Sequence, residues 1–217
     1  MKKTQTFFLA IITSAYSHAQ PSEFNLPKDN PVVQIAKNYF RSNPYTMRFS
    51  TFLNHLMNDP TLSDKTITKR TDTSFFFFKG GYNNHNPFSF KAGRTEIRLA
   101  EEEVELQDSL STTDTLLFYQ LLGYSYGKEG LESVKKEFSK FDRRYGKNFY
   151  SENSELKKGD EITGVIKNYF TPLISRFSPI SVSWAKLDDF QSVFTITFRI
   201  KVIENTATLP ISPDSRQ

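Results

Sequence analysis

The string Gly123-Tyr124-Ser125-Tyr126-Gly127 has the Gly-x-Ser-x-Gly spacing of a nucleophile elbow, in which a serine at a tight strand-to-helix turn is presented for acyl transfer. In such enzymes an acid and then a histidine follow the serine along the chain. No histidine follows Ser125, so the string lacks its general base and argues against a hydrolase of this type. Two histidines lie beyond the first twenty residues, His55 in a helical pattern and His85 in a turn-rich stretch. The chain has no cysteine and no His-Glu-x-x-His spacing, so a zinc site would need both histidines to meet with carboxylates completing the shell. Each reads instead as a surface histidine. Glu101, Glu102 and Glu103 form a carboxylate cluster on a strand-like stretch, and paired carboxylates hydrolyse glycosides. Alternation along a strand points Glu101 and Glu103 to one face unless a bulge intervenes. There is no phosphate-binding glycine loop and no calcium loop, and no metal or cofactor is expected.

The segment 80–88 offers a different chemistry. Tyr82, Asn83, Asn84, His85 and Phe88 combine aromatic faces with amides, a set able to stack on and hydrogen-bond a sugar or a peptide. These five are the candidate ligand-binding residues. Gly80, Gly81 and Pro87 among them also mark a turn.

The elements that would position these groups follow from the apolar spacing. Asn30 before Pro31 reads as an N-cap with proline in the first turn, and Val32, Ile35, Ala36, Tyr39 and Phe40 follow at helical spacing. Phe49, Phe52, Leu53, Leu56 and Met57 mark a second helix, stopped at Asp59-Pro60. Residues 65–107 read as one long hairpin, with a bulge near Glu101–Glu103 to absorb a slip in apolar parity between Leu99 and Val104. Residues 113–123 are apolar all round, which suits a helix or a central strand, and helix is slightly favoured. Leu131, Val134, Phe138, Phe141 and Tyr145 mark an amphipathic helix ended by Gly146. Residues 147–160 read as a polar loop, and Ile162 to Phe170 as another helix. Strands are expected over 180–187 and 193–203, with Asp188-Asp189 as the turn. Lys37-Asn38-Tyr39-Phe40 recurs as Lys167-Asn168-Tyr169-Phe170, each copy followed by a proline and Arg-Phe-Ser, which suggests a duplicated helix–helix–hairpin unit.

At the start of the chain Lys2 and Lys3 precede the apolar run 7–15, and Ser17 and Ala19 are small residues before Gln20. That is the three-part pattern of a secretory signal. The run is shorter than the ~20 residues a spanning helix needs. The expectation is export, to the periplasm or the exterior, with residues 1–19 removed, 20–30 an extended lead-in, 31–205 one globular domain and 206–217 a flexible tail. Without cysteines, stability must come from burial, and 21 Phe and 10 Tyr are available for it. The 28 basic residues are nearly balanced by 24 acidic ones and are mixed along the chain, which does not suit a nucleic-acid binder. The densest basic runs, Lys135-Lys136 and Arg143-Arg144, fall on one helix with Glu132, Glu137 and Asp142 between them and read as a solvated helix face.

The expected fold class is therefore α+β, with helices packed on a mostly antiparallel sheet built from two hairpins. The expected function is a non-catalytic binding or interaction module of the cell envelope, with an envelope protein or a glycan as partner. No nucleic-acid partner and no membrane-spanning segment after signal removal are expected. The alternatives are a carboxylate-dependent hydrolase acting on a polymer and a structural subunit of an envelope assembly.

Overall fold

The computed structural model describes residues 28–47, 49–69, 76–105, 113–171 and 177–201. The expected leader, most of the expected lead-in and the expected tail lie outside these residues. Among the described residues the fold is α+β: three helices and one eight-stranded antiparallel sheet.

Helix α1 (Pro31–Tyr39) starts as its sequence dictates. The Asn30 side chain accepts the Val32 N–H at 2.9 Å, and Pro31 occupies the first turn. A single 3-10 turn, Pro44–Thr46, separates it from α2 (Phe49–Asn58), with Asn43 capping that turn. Four strands follow: β1 (Leu62–Lys69), β2 (Phe76–Tyr82), β3 (Arg94–Glu105) and β4 (Thr113–Tyr126). Helix α3 (Gly127–Tyr145) leads into β5 (Tyr150–Lys158), β6 (Glu161–Phe170), β7 (Ile180–Lys186) and β8 (Gln191–Lys201).

The sheet order is β1-β2-β3-β4-β8-β7-β6-β5. Each half is thus a helical segment followed by a four-stranded meander, and the halves join through the β4–β8 ladder. The architecture repeats, but not in the unit the Lys-Asn-Tyr-Phe motif suggests. Its first copy ends α1 and its second lies in β6, paired with β7. A helix end and a strand are not equivalent positions, so that match is no trace of the repeat.

Several sequence-based expectations are corrected by the sheet. The two-hairpin picture gives way to one eight-stranded sheet. Residues 113–123 are strand, at the centre of the sheet between β3 and β8, where a segment buried on both faces must be apolar all round. Residues 147–160 contain β5, an edge strand exposed on both faces, which is why it lacks any apolar alternation. Residues 162–170 form β6. Its apolar residues mimic a helical period, but Ile162, Thr163, Val165 and Ile166 are β-branched and favour the sheet. There is no bulge at Glu101–Glu103, because β3 and β4 keep one register from Arg94↔Tyr124 to Glu105↔Thr113. The parity slip arises because both faces of β3 bury apolar side chains, Leu99 on one and Ala100 on the other.

All three helices cover one face of the sheet. There Val32, Ile35, Phe52, Val134 and Phe141 meet Ile97, Leu99, Tyr119, Ile196 and Phe198 in a single core. It is unusually aromatic. Phe198 has the rings of Tyr39, Phe40 and Tyr45 within 6.4 Å, and Tyr119 meets Phe40, Phe49 and Phe52 edge-on. The opposite face combines a small apolar cluster, Leu122, Tyr124 and Val193, with buried polar and charged groups. Glu96, 1% exposed, draws in Lys79 at 3.6 Å, Arg94 at 3.5 Å and Arg98. Arg98 also donates to the Tyr124 hydroxyl at 2.9 Å, and Arg199 donates to Ser181 Oγ at 2.9 Å. Among the described residues no helix is long and apolar enough to cross a membrane.

Candidate functional site

The connection between β2 and β3, residues 83–93, crosses the helix-covered face and fills the gap between α1 and α3. It folds on itself first: Asn86 accepts the Phe88 N–H at 3.1 Å and donates to the Phe90 carbonyl at 2.7 Å. This turns Phe88 and Phe90 inward as a stacked pair 5.6 Å apart, both against Phe194. They lie directly on β4 because residue 123 is glycine. A Cβ there would come within 2.5 Å of the Phe88 ring and 2.9 Å of Phe90.

Helix α3 holds the other side of this connection. Its buried stripe is Gly130, Val134, Glu137, Phe141 and Tyr145, so a carboxylate sits where an apolar residue would be expected. Glu137 is 6% exposed, and its carboxylate accepts both the N–H (3.1 Å) and the hydroxyl of Ser89. Charge-assisted hydrogen bonds of this kind are worth about 1.5–3 kcal/mol. Glu137→Ala is therefore expected to cost about 2 kcal/mol in denaturant unfolding, and to speed amide exchange over residues 86–91. Glu137→Gln, which keeps one acceptor, should lose less.

Between α3 and this connection opens a cavity of about 760 Å³. One wall carries Ser133, Lys136, Lys140, Arg143 and Arg144, the other Ser89, Phe90 and Lys91, with Glu137 among the lining residues. Three acids that alternate with these cations in sequence have partners, two of them with cations outside the groove, while Glu137 stays in its lining with neutral Ser89 as donor. Glu132 pairs with Lys135 at 3.2 Å. Glu137 is bonded to Ser89. Asp142 takes Lys167 at 2.7 Å and the Tyr169 hydroxyl at 3.1 Å, tying α3 to β6. Lys91, Lys136, Lys140 and Arg143 make no ion pair among the described residues, while Arg144 lies over the Tyr145 ring at 5.0 Å. The groove is therefore electropositive, and its charges stand on a rigid helix. Arg143 and Arg144 in the last turn also complement the helix dipole.

A second cavity, about 420 Å³, lies at the other end of the connection, between the α1–α2 turn and Tyr82. Arg41 donates to both Asp59 oxygens at 3.3 Å and to Thr61 Oγ1 at 2.7 Å. Burial raises the Asp59 pKa, but the Thr61 hydroxyl and N–H and the Arg41 charge outweigh it and hold the carboxyl below its usual range. A depressed folded value gives stability that is present above the unfolded pKa of about 3.9 and is lost as pH falls through the folded value. Asp59→Asn is expected to flatten the acid limb of the stability curve below about pH 4, as measured by urea unfolding at stepped pH.

The five residues expected to bind a ligand divide between buried and exposed positions. Tyr82 is 8% exposed and lines the second cavity. His85 packs edge-on against its ring at 4.9 Å. Burial holds the His85 ring below the usual histidine range against a hydrogen bond to the Tyr39 backbone, and its Nε2 has no hydrogen-bond partner among the described residues. Phe88 is core. Asn83 and Asn84 are exposed, with the Asn83 N–H donating to the Thr61 carbonyl at 2.9 Å. His55 meets Ser42 Oγ at 3.4 Å. Ser125 does lie at a strand-to-helix junction, since β4 ends at Tyr126 and α3 begins at Gly127 with φ +70°. Yet its side chain is tucked under Gly130, where a Cβ would stand 2.8 Å from Ser125 Oγ. Unbroken register pairs Glu101 with Leu117 and Glu103 with Thr115 along the β3–β4 ladder. Among the described residues no three His, Asp or Glu side chains gather to hold a metal ion. Compared with known proteins, the chain matches no family model, no curated protein and no solved structure.

Proposed function

We propose that this chain is an exported, non-catalytic binding module whose basic groove takes an anionic partner in the cell envelope. One observation carries the reading: on α3 Glu132 and Asp142 are paired with Lys135 and Lys167 and Glu137 is bonded by Ser89, while Lys136, Lys140 and Arg143 are left without an acidic partner among the described residues. A helix-borne row of cations facing Lys91 across a concavity concentrates positive potential where a ligand enters. Export is supported by the leader pattern of residues 1–19. The test is calorimetric titration of the purified chain with polyglutamate at low and high salt. Binding should be measurable at low ionic strength and at least tenfold weaker near 1 M salt, where the screening length contracts to about 3 Å. Absence of binding at low salt, or binding indifferent to salt, would overturn the proposal.

A further inference from the structure

We infer that the occupant of the groove is an extended acidic peptide segment whose acidic side chains alternate with uncharged ones. This rests on the anionic-partner reading above and adds the class and conformation of the partner. Lys136, Lys140 and Arg144 stand at i, i+4 and i+8 on α3, so a rise of about 1.5 Å per residue sets the row at intervals of about 6 Å. In an extended chain, side chains on one face recur every second residue, about 6.8 Å apart. A strand laid along α3 therefore brings successive same-face carboxylates opposite successive cations. The two walls differ in kind: α3 supplies the charges, whereas the connection supplies Phe90 and Ser89, whose N–H and hydroxyl are held by Glu137, with Lys91 at its edge. A segment matching both walls is charged on one face and uncharged on the other. A run of consecutive acids would force half its carboxylates against Phe90.

The experiment compares two fluorescent dodecapeptides of equal composition, one of alternating Glu and Thr, the other with the six Glu in one block. Binding to the purified chain is followed by anisotropy, with inorganic tripolyphosphate and a polyuronate glycan as further probes. The alternating peptide is expected to bind at least fivefold tighter than the blocked one, and Lys136→Glu to weaken it about tenfold. Equal affinity for the two peptides would overturn the inference while leaving the anionic reading intact. A polyuronate that outcompetes both peptides would overturn the peptide class. Failure of all four probes at low salt would overturn the anionic reading itself.

Discussion

Reversing two charges on the helical wall of the groove, as Lys140→Glu with Arg144→Glu, is expected to weaken polyglutamate binding by about a hundredfold. An exposed ion pair is worth roughly 0.2–1 kcal/mol. Reversal removes the attraction and adds a repulsion of similar size, so two sites together lose about 2–3 kcal/mol, or two decades of affinity at 1.4 kcal/mol per decade. Both side chains are exposed, and Lys140 makes no ion pair among the described residues. The fold should therefore survive, with a Tm near that of the parent. Arg144 contributes a ring contact to Tyr145 as well as its charge. The milder pair Lys140→Gln with Arg144→Gln should then lose about half as much binding free energy. Titration calorimetry checks the affinity, and circular dichroism checks that the fold is intact. Unchanged affinity in the double reversal would place the anionic partner elsewhere on the molecule.

Phe198→Ala is expected to be among the most damaging single truncations in the core. Phe198 lies on β8, next to the central β4, is fully buried, and touches aromatic side chains from α1 and from the turn after it. Truncating a buried phenylalanine costs about 3–5 kcal/mol through lost transfer energy and the cavity left behind. At roughly 2–4 °C per kcal/mol for a domain of this size, Tm should fall by about 10 °C. With no disulfide available to the chain, no covalent link offsets the loss. Phe198→Leu, which keeps most of the volume, should cost much less. Calorimetric melting of the two variants against the parent separates these outcomes.

The helices were legible because capping and amphipathic spacing are local signals. Asn30-Pro31 predicts the start of α1, and the structure has that cap. Gly146 marks the end of α3, though in right-handed helical geometry rather than as a left-handed cap. The strands were legible where one face is buried and the other polar, as in β8. They were lost where that contrast vanishes. Leu116 to Leu122 is apolar on both faces because β4 lies at the centre of the sheet, and β5 is polar on both faces because it lies at an edge. Neither leaves a period of two in the sequence.

The groove leaves little trace in the sequence for a related reason. Lys135-Lys136 and Arg143-Arg144 do form an exposed helix face, but acids and bases that alternate along the chain are separated in space, since 100° of helix rotation per residue sends Glu137 inward and leaves Lys136 and Lys140 outside. One signal was available. Glu137 falls on the apolar stripe between Val134 and Phe141, and an acid at such a position needs a specific partner. The sequence pointed to the 80–88 segment, and the structure places the groove on the later part of the same connection. What it could not indicate is that Phe88 faces inward, because that depends on Gly123 in a strand that pairs far along the chain.

Amide chemical-shift mapping of the isotope-labelled chain during titration with hexaglutamate tests the central claim most directly. The account predicts shifts concentrated in residues 84–92 and 133–144, reversed by salt and absent in the double charge reversal. Shifts confined to the polar sheet face around Arg98 and Arg199, or no shifts at millimolar peptide, would contradict it.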